Sequence, residues 1–201
     1  MSGFLNVEAH LPLTAHRSPL PFVRITFVLP TPIRIPMGGA KVVYEHARGL
    51  VALGHDVRVV APRQAGTGIR DLAMRAAVAV RDQWHGVAGG LAYGEPGVVS
   101  QTLPGPAAHH FPEADVTIAT GVQTLPWVAA LPASLGGEKL YFVQGDETFV
   151  QADARDSWYR GLPLMTCAMW LADAMREGGL EPLAVIPNAI RPGEFGLDTS
   201  I

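Results

Sequence analysis

The stretch ITFVLPTPIRIPMGGAKVVYEHARGLVALGHDVRVVAP, residues 25–62, reads as strand, glycine loop, helix and strand. An apolar run (Ile25, Phe27, Val28, Leu29) passes through a proline-bounded loop to Gly38 and Gly39, after which the apolar residues change to helical spacing. Val43, Ala47 and Leu50 recur at i, i+4 and i+7, while Lys41, Glu45 and Arg48 hold another face at the same spacing. This predicts a helix over 40–53 that packs one side on a sheet and closes on Gly54. The valine-rich run from Val57 to Ala61 then has the character of a strand buried on both faces of a parallel sheet. Glycines at a helix N-terminus set free amides and the positive end of the helix dipole where an anion can approach the backbone closely. The same pair also suits a tight turn and close helix packing.

Outward from that unit the alternation continues. Between Arg63 and Pro112 glycines and prolines are frequent; a helix over 69–77 and a short strand over 78–80 are expected, with a loop-rich stretch from His85 to Pro106. VTIAT from Val116 is a compact buried strand, and Gln123 to Leu131 can form a helix with Pro126 in its first turn. Lys139 to Gln144 is a further strand. Asp146 to Arg160, acidic at its start, is expected to be helical, and Leu164–Thr166, Ala168–Glu177 and Leu183–Ile186 repeat strand, helix, strand. Strands alternating with helices imply an α/β fold: a single Rossmann-like, doubly wound, mainly parallel sheet with helices on both faces. In such sheets the ligand crevice lies beyond the carboxyl ends of the strands. That rule singles out residues 30–41, then Gly121 and Gln123, then Gln144, Gly145, Asp146 and Glu147.

The chain's 201 residues suit one domain. A loose, proline-containing extension is expected over 1–21, and the domain over 22–201. A formal net charge of -3 with 16% charged residues gives no basic excess, which argues against nucleic acid as a partner. No apolar run reaches the ~18 residues that a membrane-spanning helix needs. The segment before Pro21 lacks the basic and apolar regions of a signal peptide. Cys167 is the only cysteine, which excludes an intramolecular disulfide and suits a reducing cytosol. No metal site is expected: His109 and His110 sit in a proline-flanked loop without a matching ligand set and read as a surface pair. Cys167 reads as a buried small hydrophobe, and Met169, Trp170, Leu171 and Met175 as core. Asp146 and Glu147 are either carboxylates favoured by a helix start or groups for general acid–base work. Neither G-x-G-x-x-G nor a Walker loop occurs, which lowers the case for a nicotinamide-dependent enzyme or an ATPase.

Four segments carry a resemblance: GGAKVVYEHARGLVALGHDVRVVAP, YFVQGDE, LMTCAMWLADAM and VIPNAIRPGEF. In that order and at that spacing they resemble the N-terminal half of family 4 glycosyltransferases, over about Arg24 to Asp198. The resemblance implies half of a GT-B architecture, in which two Rossmann-like domains face each other across a cleft. The first mainly binds acceptor and the second a nucleotide-activated sugar, and transfer retains anomeric configuration without a metal. Gly38, Gly39, Ala40 and Lys41 would then form the glycine loop facing the donor's phosphates or the acceptor. Thr120, Gly121 and Gln123 would line the acceptor side, and Gln144 the cleft mouth. Asp146 and Glu147 would polarise or orient the acceptor hydroxyl, and Asn188 would open the crossing to the second domain.

The sequence departs from that family at Ala189 and Arg191, where glycine and aspartate are usual, and at Lys41, where many members have glutamate. The family's donor site, two glutamates eight residues apart in the second domain, has no counterpart among these residues. The resemblance therefore implies an acceptor-binding half with no cofactor of its own, inactive alone, whose nucleotide-sugar donor is held mostly by another domain, on a separate chain or through self-association. Its acceptor would be a glycan, a lipid-linked molecule or a small molecule, in the cytoplasm or at the inner membrane surface. A non-catalytic binding module on the same fold is the alternative, ahead of a nicotinamide-dependent enzyme.

Overall fold

The structure, a computed structural model, describes residues 21–33, 37–63 and 96–188. Its strands are β1 (Arg24–Val28), β2 (Asp56–Pro62), β3 (Val99–Leu103), β4 (Val116–Ala119), β5 (Glu138–Val143), β6 (Leu164–Thr166) and β7 (Ala184–Val185). All pair in parallel, in the order β3-β2-β1-β4-β5-β6-β7. The helices are α1 (Gly38–Ala52), α2 (Leu125–Ala129), α3 (Ala133–Gly136) and α4 (Met169–Glu177), with short 3-10 turns at Ala108–His110 and Ala154–Tyr159. The expected α/β, doubly wound parallel sheet is the fold of the described residues.

Alternation along the strands sorts the core into two layers. Ile25, Phe27, Val57, Val59, Ile118 and Phe142 face α1, whose Val43, Tyr44 and Ala47 are buried against them. Val28, Val60, Ala119, Tyr141 and Val143 face the other way, onto Leu125 and Val128 of α2 and Leu171 and Met175 of α4. The first half of the sheet is thus wound over one face and the second half over the other, as right-handed crossovers require when strand order reverses. Tyr44 ties α1 to β3 through a 3.0 Å contact between its hydroxyl and that of Ser100. Lys139 at the start of β5 donates to the carbonyls of Ala129 and Leu131 at the end of α2. Gly137 joins α3 to β5 with φ 58°, and a Cβ there would stand 2.1 Å from the Asp115 carbonyl, so no other residue fits that turn.

Three expectations are corrected. β3 lies within the stretch expected to be loop: VSQTL has no apolar alternation, and it becomes a strand because its ladder to β2 spans Arg58↔Val99 to Pro62↔Leu103 at the sheet edge. The helix expected over Asp146–Arg160 is replaced by a turn and the 3-10 segment. Asp146 Oδ1 accepts from the Thr148 amide and hydroxyl (3.3 and 3.2 Å), a local bond that competes with the helix, and Glu147 takes the left-handed φ of 52°. Met169 and Trp170 are exposed rather than core, because they form the outward side of the first turn of α4, while Leu171 and Met175 are fully buried. The expected helix over 69–77, the strand over 78–80 and the N-terminal extension lie outside the described residues.

His46, on the flank of α1, meets the Phe142 ring edge-on at 5.3 Å, and its Nε2 is buried with no hydrogen-bond partner among the described residues. Burial pushes its pKa below the ordinary 6.5, outweighing the opposing pull of Glu45. The unfolded chain therefore takes up the proton first. This residue's stability contribution is complete above pH ~6.5 and is lost as pH falls from there toward the lowered folded value. The drop in urea midpoint between pH 7.5 and 5.5 is expected to be smaller in His46→Leu than in the parent chain; equal drops would contradict this assignment.

Candidate functional site

Strand order reverses between β1 and β4, so the loops after these two strands leave toward opposite faces and open a crevice at their carboxyl ends. On the β1 side the crevice wall is the start of α1. Among the described residues no side chain caps this helix, and its first turn holds no acidic residue. Its first intrahelical bond runs from the Lys41 amide to the Met37 carbonyl (2.9 Å), which leaves the amides of Gly38, Gly39 and Ala40 ahead of the ladder.

Neither Gly38 nor Gly39 has a positive φ, and a Cβ on Gly38 would meet nothing within 4 Å. Turn geometry does not require the pair, and close packing does not require Gly38. Gly39 lies under the Gln144 side chain, whose Oε1 would stand 3.4 Å from an added Cβ. Ala40 turns its methyl into the core. Ile33, in the loop before the glycines, is buried, so that loop packs inward at its described end.

On the β4 side, Thr124 organises the turn. Its buried Oγ1 accepts from the amides of Thr120 (3.0 Å) and Gly121 (3.2 Å) and donates to the Gly121 carbonyl (2.8 Å). The Thr120 hydroxyl donates to the Val28 carbonyl at 2.7 Å and is buried. Thr120 and the buried Gly121 therefore lie beneath the crevice, and the half-buried Gln123 reaches its surface. An added Cβ on Gly121 would stand 3.2 Å from Gln123 Oε1, 3.6 Å from Glu147 Oε1 and 3.8 Å from the Pro30 ring. Residues following β1, β4 and β5 thus meet at this glycine.

The two carboxylates expected here differ in character. Asp146 accepts from Thr148 through one oxygen and pairs with Arg155 at 3.1 Å through the other. Arg155, then the Thr148 amide, hold its pKa below the ordinary value, so it is an ionised brace for its own loop. Glu147 points back into the crevice. Its Oε2 accepts from the Val122 amide at 2.5 Å and from the Tyr141 hydroxyl at 3.4 Å, and burial raises its pKa despite both bonds. Its Oε1 makes no hydrogen bond among the described residues and faces Gly121. Glu147 is also the only described non-glycine residue with positive φ, a conformation that costs about 1–3 kcal/mol and marks a position over-determined by its surroundings.

Gln144 and Cys167 meet at the next strand end, where the thiol lies 3.5 Å from the Gln144 carbonyl. Cys167 is half-buried; burial raises its pKa and the Asn188 side chain offsets part of the rise. Asn188 itself is exposed just past β7. His109 and His110 meet elsewhere with ring centroids 4.1 Å apart and planes tilted by 57°, and His110 Nδ1 lies 3.1 Å from the Gly105 carbonyl. Among the described residues no group of three or more histidine, cysteine or acidic side chains is placed to hold a metal. Thr124, Tyr141 and Pro30 support the crevice without having stood out in the sequence; a threonine five positions after the end of β4 was the available signal for Thr124.

Glu147→Gln retains an acceptor for both donors and removes a partly buried charge, so its unfolding midpoint is expected to equal or exceed that of the parent. Glu147→Ala leaves the Val122 amide without its acceptor and keeps the strained backbone, and is expected to lose about 1–3 kcal/mol. Urea unfolding of both variants at pH 7 checks this, and equal losses in the two would contradict it.

No protein-family model matches the chain, and no curated protein matches it.

Proposed function

We propose that this domain is the acceptor-binding half of a sugar-transfer enzyme of the family 4 glycosyltransferase type. The observation that carries the reading is the pairing, across one crevice, of a glycine-opened helix N-terminus with a carboxylate, neither the helix start capped by a side chain nor the second carboxylate oxygen bonded among the described residues. Two of the sequence segments that resemble the family, those holding residues 38–41 and 144–147, supply these walls. On the β4 side the amides of Thr120, Gly121 and Val122 are all engaged internally. What remains for a ligand there is an acceptor oxygen on Glu147 and the amide side chains of Gln123 and Gln144, a set suited to a polyhydroxylated molecule. Glu147 orients an acceptor hydroxyl and draws on its proton; the start of α1 supplies positive potential for a departing phosphate. Asp146 holds the loop that carries Glu147, and Asn188 leads toward the second half.

The same edge exposes Met37, Phe149, Met169 and Trp170, which follow β1, β5 and β6. An apolar rim of this kind around a polar crevice is what a facing domain covers, carried in the same protein or on a partner chain. A binding module that has kept the crevice without transfer would show the same rim, and catalysis by the paired halves separates the two. A nicotinamide-dependent enzyme is disfavoured by the absent dinucleotide fingerprint. No helix among the described residues is long and apolar enough to cross a membrane.

Glycine at helical φ in α1 is less favourable than alanine by up to ~1 kcal/mol, and Gly38 has open space for a methyl group. Gly38→Ala is therefore expected to raise the unfolding midpoint. It is also expected to weaken, by about tenfold (~1.4 kcal/mol), calorimetric binding of whichever member of a mono- and disaccharide panel binds the parent. The 201-residue polypeptide alone is expected to transfer no sugar from nucleotide-sugar donors. Binding of NADH in place of any saccharide, or a Gly38→Ala variant that is stabilised and binds as the parent does, would overturn the reading.

A further inference from the structure

We infer that Tyr141 is a positioning residue for Glu147, an internal donor that sets which carboxylate oxygen faces the crevice. The inference rests on the reading of Glu147 as the ligand-facing carboxylate. Tyr141 is 1% exposed, with its ring in the core layer that also holds Val28, Val143, Leu164 and Trp158. A phenol so placed is unusual unless its hydroxyl has a partner, because an unsatisfied buried hydroxyl is costly. The Tyr141 hydroxyl donates to Glu147 Oε2, at 3.4 Å, with the buried Ser157 side chain beside it.

The Val122 amide converges on that same oxygen at 2.5 Å from a different loop. Two donors from two elements fix the carboxylate plane and leave Oε1 directed at Gly121, where it would stand 3.6 Å from an added Cβ. The backbone agrees with the side chain. The Glu147 carbonyl accepts from the amides of Val150 (2.8 Å) and Gln151 (3.1 Å), which hold its left-handed conformation from the other side. Among the described residues Tyr141 is the titratable group facing Glu147, since the adjacent Asp146 turns to Arg155 and Thr148. Burial, reinforced by Glu147, pushes the phenol's pKa upward, so it remains a proton donor throughout the working pH range. Phenylalanine at 141 would keep the packing and remove only the donor.

The test is the Glu147 carboxyl titration followed by carbon-13 NMR in the parent and in Tyr141→Phe. Loss of the donor is expected to move the midpoint to higher pH with the amide spectrum otherwise preserved. An unmoved midpoint in a folded Tyr141→Phe chain would overturn the inference. Should that variant not fold, the parent labelled at tyrosine Cζ in mixed H2O and D2O serves instead. Slow hydroxyl exchange at Tyr141 that is faster in Glu147→Ala supports the contact, and rates equal in both contradict it. Neither measurement uses a sugar, so either result stands apart from whether the domain takes part in transfer.

Discussion

β1 and β4 lie side by side although α1, β2 and β3 separate them in the chain, and a polar tie at each end holds that junction. At the amino end, Asp115 accepts from the Arg24 amide at 2.8 Å and from its guanidinium at 2.7 Å, while Glu113 reaches the same guanidinium at 3.2 Å. The Arg24 side chain keeps the Asp115 carboxyl at about 2, so the tie is ionised throughout the physiological range. At the carboxyl end the buried Thr120 hydroxyl donates to the Val28 carbonyl. Between them runs the register Ile25↔Val116 to Val28↔Ala119. A one-residue slip would break both ties and exchange the two core layers, so the junction is specified by hydrophobic pattern and polar geometry together. Everything proposed for the crevice follows from this pairing, because it is where the chain's winding reverses.

The crevice is electrostatically divided. The α1 side presents backbone amides at the positive end of a helix dipole, and the β4–β5 side presents a carboxylate whose ionisation burial opposes. Such a division suits a ligand that carries hydroxyl donors at one end and develops negative charge at the other, as the proposed transfer from a diphosphate leaving group would require. The local costs fit that purpose better than they fit stability. A glycine with open space in a helical turn and a glutamate in the left-handed region are both unfavourable for folding.

Much of this fold was legible in the sequence because its strands are apolar and its longer helices periodic. Val43, Ala47, Leu171 and Met175 could be placed in the core by spacing alone. β3 was not legible, since a polar edge strand owes its conformation to the neighbouring ladder. The segment after β5 was misread as helix because composition does not reveal an Asp146 side chain bonding its own backbone, or a glutamate held at positive φ. For the crevice, the rule that ligands lie beyond strand ends brought Gly39, Gly121, Gln144 and Glu147 to one place. It could not separate Asp146, turned to Arg155, from Glu147, turned inward. Nor could it show that Thr120 lies beneath the surface, because those differences arise from contacts between residues distant in sequence.

The central claim is that one crevice, between the carboxyl ends of β1 and β4, receives a polyhydroxylated ligand. The most direct measurement is a map of backbone amide shifts as saccharides are titrated into the nitrogen-15-labelled chain. The account predicts concerted shifts at Gly38, Gly39 and Ala40 on one wall and at Gly121, Gln123 and Gln144 to Glu147 on the other, with His109 and His110 unmoved. Shifts confined to other parts of the sheet, with both walls silent under a ligand that binds, would contradict it.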